Sequence, residues 1–242
     1  MTEYRIKAIT FDLDNTLWDV EPVLLRAEEV QYQWLQQNRS RVAREFDGEA
    51  LRSFRFGTHS SHPELAHQIS KIRIQALYEV QLHCGYSEQL AREGARTAFD
   101  AFLRIRHQVQ PYERALEVLE ALAQRYVLGA LSNGNADIYK TDIGEYFDFA
   151  FSAEQLDASK PLPDMFHAAM QKTGADAREI VHVGDSPEHD ILGAQKVGMF
   201  TVWMNSGGWR WPEQRVPADE SISALEDLPA AISSIESRSE HE

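Results

Sequence analysis

Two carboxylates two residues apart, Asp12 and Asp14, close an apolar run that begins at Ile6, in the segment Phe11-Asp12-Leu13-Asp14-Asn15-Thr16-Leu17. Burying an unpaired carboxylate costs several kcal/mol, so such a pair implies a bound cation, shared protons or exposure to solvent. A solvated Asp-rich turn would use the same residues. A second apolar run, Tyr126 to Leu131, stops at Ser132-Asn133-Gly134-Asn135, which supplies a hydroxyl, an amide and a permissive glycine. A loop of this kind ahead of a helix offers backbone N–H groups to a phosphate, while a plain Asn-Gly turn needs no ligand at all. Lys160 stands before Pro161 and Pro163, whose rings fix the local backbone. Val183-Gly184-Asp185-Ser186-Pro187 then brings a third acid, with Asp190 following at the start of a helical pattern. Mg2+ is usually held by one or two carboxylates, waters and a phosphate, so these acids suit an oxygen-ligand site for a hard cation. If the first and fourth runs lay far apart, Asp185 in a turn and Asp190 as a helix cap would account for both.

The elements that must position these groups are short and apolar. Ile6 to Leu13, Tyr126 to Leu131, Phe147 to Phe151, Ile180 to Val183 and Phe200 to Met204 are near-continuous β-branched or aromatic runs, as buried parallel strands are. Helical spacing appears at Ala115 to Leu122 before the second run, and between the last four at Met165 to Lys172 and Ile191 to Val197, the last stopping at Gly198. Strand and helix in alternation predict an α/β fold, a doubly wound parallel sheet whose ligands bind beyond the carboxyl ends of the strands. The candidate residues fall at those ends. About a hundred residues separate the first strand from the second, and they read as helices. Val23, Ala27, Val30 and Trp34 make one stripe, and Leu65, Ile69, Ile72, Ala76 and Val80 a second, with Pro63 in its first turn. Ser87 to His107 makes a third. The organisation expected is a catalytic core of residues 1–19 and 109–242 with an all-helical insert at 20–108, and a disordered tail from Ser233 to Glu242.

Composition narrows the partners. The chain has 242 residues, with 24 Lys plus Arg against 38 Asp plus Glu, a formal charge of -14 that disfavours nucleic acid and anionic membrane. No run approaches the roughly 20 apolar residues of a membrane span, and the N-terminal residues lack the apolar stretch of a secretory signal. The single cysteine, Cys84, falls in what reads as a buried helix segment and cannot form an internal disulfide. A reducing, cytoplasmic setting is expected. His59, His62 and His67 match no zinc spacing and read as surface or capping residues. His182 reads as a satisfied core residue and His189 as a neighbour of the fourth cluster. Trp203, Trp209 and Trp211 form an aromatic segment suited to stacking on a planar ligand, to facing a partner subunit or to packing the C-terminal segment.

Taken together and in order, Asp12-Leu13-Asp14-Asn15-Thr16, Ser132, Lys160, and Gly184-Asp185-Ser186 with Asp190 resemble the four motifs of the haloacid dehalogenase (HAD) superfamily. The resemblance covers residues 5 to 19 and 110 to 206, and the insert stands where that family carries a helical cap. It implies a Rossmann-like core and a Mg2+-dependent phosphatase of small phosphorylated metabolites. In that reading Asp12 attacks phosphorus to form an aspartyl-phosphate, and Asp14, protonated at the outset, gives its proton to the leaving alkoxide and then activates water. Mg2+ would be held by Asp12, Asp185 and the main-chain carbonyl of Asp14, with Lys160 offsetting the remaining charge. Thr16, Ser132, Asn133 and Lys160 would hold the phosphoryl oxygens, with Ser186 and Asp190 in support. A dehalogenase needs no acid at position 14, since a halide departs without a proton. A phosphosugar mutase and a non-catalytic phosphate-binding protein are the other rivals. The run Asp12 to Trp18, the helical insert and Gly198 to Asn205 are similar to bacterial phosphatases of flavin mononucleotide and of 5-amino-6-(5-phospho-D-ribitylamino)uracil.

Overall fold

The computed structural model describes residues 5–239. The chain divides into two compact units, Met1–Asp19 with Gln110–Glu242, and Val20–Val109.

The first unit is built on a six-stranded sheet. Its strands are β1 (Ala8–Phe11), β2 (Val127–Ser132), β3 (Phe149–Ser152), β4 (Ile180–Gly184), β5 (Phe200–Met204) and β6 (Glu220–Ile222), in the order β3-β2-β1-β4-β5-β6. Every neighbouring pair is parallel. β1 and β4 are buried along their whole length, which is why they read as unbroken apolar runs. Register does the positioning: Phe11 lies level with Ala130 on one side and Val183 on the other, so the polar residues after all three strands emerge side by side. The first and fourth runs are therefore neighbours, and the reading of Asp185 and Asp190 as an unrelated turn and cap loses its premise. The order reverses direction at β1, the place where open α/β sheets leave a crevice. Gly129 in β2 is required by packing, since a Cβ there would lie 2.1 Å from the Phe149 ring.

Helices cover the sheet. In chain order, α1 to α5 occupy the insert, and α6 (Ala115–Ala123), α7 (Ala153–Leu156), α8 (Asp164–Thr173), α9 (Gly193–Lys196) and α10 (Leu228–Ser239) belong to this unit. Met165, Phe166 and Ala169 of α8 are buried in one cluster with Leu131, Phe149, Ile180, Ala194 and Met199. Three sequence expectations change here. The tail from Ser233 is helical through Ser239, because Leu228, Ala231, Ile232 and Ile235 recur at helical spacing and are buried; residues 240–242 lie outside the described residues. β6 was not foreseen, since three residues, one of them buried, carry too little apolar pattern. The helix after β4 begins as a π-helical turn over Pro187–Leu192 before α9.

The second unit is helical: α1 (Val20–Asn38), α2 (Ser40–Glu45), α3 (Gly48–Ser61), α4 (Ile69–His83) and α5 (Glu88–Arg106). Ala27, Leu35, Leu77, Val80, Ala95, Ala98, Phe99 and Phe102 make its core. The sequence reading found α1, α4 and α5 but not α2 and α3, whose sole buried residues are Val42 and Thr58. Asp47 starts α3 by accepting the Ala50 N–H at 2.8 Å. The helix expected to run unbroken from Pro63 is a 3-10 turn, Pro63–Leu65, followed by α4. Cys84 sits half-buried at the end of α4 instead of inside it, where burial and the neighbouring Glu45 push its thiol up to about 11. His62 closes α3, its ring between Glu64 at 2.9 Å and Glu79 at 2.8 Å, a capping role. Among the described residues no helix is long and apolar enough to cross a membrane.

Because Ile235 is 1% exposed, Ile235→Ala is expected to lower unfolding free energy by roughly 2 to 4 kcal/mol. Ser233→Ala, at an exposed position, should change it by under about 0.5 kcal/mol. Urea denaturation of both variants checks this, and equal small effects would mean that the segment does not pack.

Candidate active site

The β1 ladder continues one residue past the strand, with Asp12 N–H donating to the Val183 carbonyl at 2.9 Å. A tight turn follows. The Leu13 carbonyl accepts from Thr16 N–H at 3.2 Å and Leu17 N–H at 2.9 Å, and Asn15 adopts φ +62°. Asparagine tolerates that left-handed conformation better than most residues. Leu13, Leu17 and Trp18 are buried and anchor the turn, and the Trp18 indole N–H donates to Asp14 Oδ1 at 2.8 Å. Thr16 is fully buried, its hydroxyl without a hydrogen bond, and it does not line the cavity that the acids share.

At the end of β2, Ser132 is buried and its Oγ accepts the Gly134 N–H at 3.0 Å. The Asn133 side chain turns to the loop that carries Lys160. Its Nδ2 donates to the Lys160 carbonyl at 3.0 Å and its Oδ1 accepts the Lys160 N–H at 2.8 Å. Both ends of the amide thus clamp the lysine backbone. Lys160 projects into the same place, buried, with Nζ 2.7 Å from Asp12 Oδ1 and 2.6 Å from Asp190 Oδ1.

Asp190 is held from several sides. Its Oδ2 accepts the Ser186 N–H at 2.9 Å, and Oδ1 lies 3.4 Å from His182 Nε2. His182 Nδ1 in turn meets Thr10 Oγ1 at 2.9 Å. Gly184 must be glycine for this packing, because a Cβ would fall 2.3 Å from the Asp190 carboxyl carbon. Ser186 Oγ accepts the His189 N–H at 3.1 Å and so starts the π-helical turn that carries Asp190. One partner escaped the sequence reading: the Trp203 indole N–H donates to the Asp185 carbonyl at 2.7 Å. The register pairs Gly184 with Trp203 across β4 and β5, and no local spacing announces that contact. Trp203 and Trp211 pack edge to face, 5.0 Å apart, while Trp209 is exposed.

A cavity of about 320 Å³ brings together Asp12, Asp14, Ser132, Asn133, Lys160, Asp185, Ser186 and Asp190, with Asn15, Gly134 and His189 completing its wall. Carboxylate oxygens of Asp12, Asp185 and Asp190 lie within 4.8 Å of one another. One ammonium faces three carboxylates. Burial, reinforced by Asp190 and Asp185, raises Asp12 well above the ordinary carboxyl range although Lys160 opposes it. Burial and then Asp190 push Asp185 up to about 7. Burial would raise Asp190 too, but Lys160 and His182 hold it low. Lys160 is raised because Asp12 and Asp190 outweigh its burial, whereas burial keeps His182 below its usual value and hence neutral. The surplus of buried negative charge fits a divalent cation, whose oxygen ligands are already gathered.

The haloacid dehalogenase-like hydrolase family model matches residues 6–198. The 5-amino-6-(5-phospho-D-ribitylamino)uracil phosphatase YigB of Escherichia coli (strain K12) is 34% identical over 232 residues, covering 94% of this chain and 97% of that protein. A crystal structure of a 2-haloacid dehalogenase from Pseudomonas syringae pv. Tomato DC3000 is similar with a TM-score of 0.88 and 38% identity, over 95% of this chain and 99% of that one. The L-2-haloacid dehalogenase of Xanthobacter autotrophicus, at 21% identity and a TM-score of 0.63 over 94% of this chain and 98% of that one, shares the fold.

The raised Asp185 sets a pH dependence. Folded and cation-free, it keeps its proton to about pH 7, whereas the ordinary value is 3.8. Between those values the unfolded chain binds fewer protons, so this group's contribution to stability is present at low pH and lost as pH rises toward 7. Without divalent cation, the unfolding free energy of the wild type should therefore fall relative to Asp185→Asn from about pH 4 to about pH 7. Urea titrations of the two proteins measure the difference; parallel curves would contradict the burial of Asp185.

Proposed function

The chain belongs to the haloacid dehalogenase-like hydrolases, and from that premise we propose that it hydrolyses phosphomonoesters of small metabolites with the help of Mg2+. The observation that carries this reading is the meeting of Lys160 with Asp12 and Asp190 on the wall that also holds Asp14, Ser132 and Asp185. Asp12 Oδ attacks phosphorus, the bond to the ester oxygen breaks, and Asp14 gives its proton to the departing alkoxide. A water then attacks the aspartyl-phosphate, Asp14 takes a proton from it, and the phosphorus–carboxylate bond breaks to release inorganic phosphate. A divalent cation held by Asp12, Asp185 and the main-chain carbonyl of Asp14 would offset the repulsion between carboxylate and phosphate dianion and draw charge from the phosphoryl oxygens. Lys160 neutralises Asp12 from the buried side. Ser132 Oγ, which accepts from Gly134, keeps its own hydrogen for a phosphoryl oxygen. Asp190 orients Lys160, and the Trp18 indole orients Asp14.

Asp14 separates this reading from the dehalogenase that the Pseudomonas syringae structure suggests. A departing alkoxide needs a proton and a departing halide does not, so an acid held by a buried indole at this position serves phosphate ester cleavage. The extent of the similarity to the Escherichia coli phosphatase supports flavin mononucleotide and 5-amino-6-(5-phospho-D-ribitylamino)uracil as first substrates. The helical insert, residues 20–108 on the sequence reading, has the chain position of the family's cap and is where selection of the leaving group is placed.

Phosphate release is measured over flavin mononucleotide, the ribitylaminouracil phosphate, nucleotides and sugar phosphates, with and without Mg2+, beside chloride release from 2-chloropropionate. Mg2+-dependent phosphate release without chloride release is expected; the reverse, or isomerised sugar phosphate in place of free phosphate, would overturn the proposal. Asp12→Asn should abolish turnover. Asp14→Asn should lower kcat roughly 100- to 10,000-fold, and unchanged turnover would remove Asp14 from its role.

A further inference from the structure

The helical insert contains a cavity of its own, about 170 Å³, between α1, α3 and α4. Leu51, Phe54, Ala76, Leu77 and Val80 form an apolar wall. The polar wall is organised around one carboxylate. Glu28 Oε2 accepts from Arg52 Nε at 3.1 Å and Nη2 at 2.8 Å, and Oε1 accepts from Arg55 Nη1 at 2.8 Å. Arg73 receives what is left: its Nη1 and Nη2 stand 3.4 Å from the same Oε1, at the long limit of a hydrogen bond, and its Nε has no hydrogen-bond partner. Yet Arg73 is the most deeply placed of the three, 6% exposed, with its guanidinium 3.8 Å from the centre of the Phe102 ring.

The charges at this wall are unevenly paired. Glu28 is engaged at 2.8 Å by Arg55 and by the exposed Arg52, which leaves the buried Arg73 only the 3.4 Å contact. A buried cation whose counter-charge is shared with two closer partners is incompletely compensated, and that cost falls when an anion enters beside it. Burial accordingly pushes Arg73 down to about 9. The apolar wall sets the rest of the ligand, since a cavity of about 150 Å³ accommodates a benzene ring. We propose that this cavity binds a small organic anion, a carboxylate or phosphonate-like oxyanion on an apolar body about one ring in size, with Arg73 as its buried counter-charge. The proposal is independent of the catalytic reading, and neither outcome bears on phosphate release.

The test follows the Arg73 Nε–H resonance of the 15N-labelled full chain, assigned by its loss in Arg73→Lys, during titration with benzoate, phenylphosphonate or uncharged benzyl alcohol. A saturable shift with benzoate, with phenylphosphonate or with both supports the site and identifies the preferred oxyanion, and benzyl alcohol should leave the resonance in place. Glu28→Gln removes the internal competitor and should tighten binding about fivefold or more, a gain that misfolding does not produce. Absence of a saturable shift with either anion to about 10 mM, an equal response to benzyl alcohol, or unchanged or weaker binding in Glu28→Gln would overturn the proposal.

Discussion

A buried ammonium between two carboxylates is the constraint around which the catalytic unit is arranged. Lys160 Nζ stands 2.7 Å from Asp12 and 2.6 Å from Asp190, three residues brought from three separate strand ends. At an effective dielectric constant of about 20 each contact is worth about 6 kcal/mol of attraction, before the cost of removing all three groups from water is counted. That cost makes the arrangement conditional: displacing Lys160 would leave the buried carboxylates of Asp12 and Asp190 without their counter-charge. The surrounding structure is accordingly devoted to holding them.

The holding is done largely by backbone and by neutral side chains. Asn133 fixes the main chain of Lys160 from both sides, Ser186 N–H fixes Asp190, and Trp203 fixes the carbonyl of Asp185. Neutral His182 links Asp190 to Thr10 on the adjacent strand without adding charge. Gly184 leaves the space that Asp190 fills. With positions supplied this way, the carboxylates stay close enough to share a cation, and Asp14, tied to the Trp18 indole, stands beside them on the cavity wall. In the insert the buried Arg73 holds the weakest share of Glu28, behind Arg52 and Arg55.

Legibility in the sequence follows burial. β1 and β4, buried along their whole length, leave continuous apolar runs, and their polar ends were readable with them. β6, α2 and α3 bury one residue each and left no comparable pattern. The tail misled for a related reason: its serines and charges suggested disorder, while Ile232 and Ile235 at helical spacing bind it to the core. Asn133 and Thr16 belong to the right segments, but a motif conveys residue type and order, not which hydrogen bonds each side chain completes.

From its sequence alone, then, this protein was determined as an α/β sheet with a helical insertion, carrying its acids, hydroxyl and lysine at strand ends. Those features arise from local period and from abrupt changes of polarity, both of which are written along the chain. Tertiary structure decided which ends are neighbours, which amide clamps Lys160, which indole holds Asp14 and which holds Asp185. Those outcomes depend on strand order and register, which pair residues as far apart as Asp12 and Lys160 through distances that no local pattern encodes.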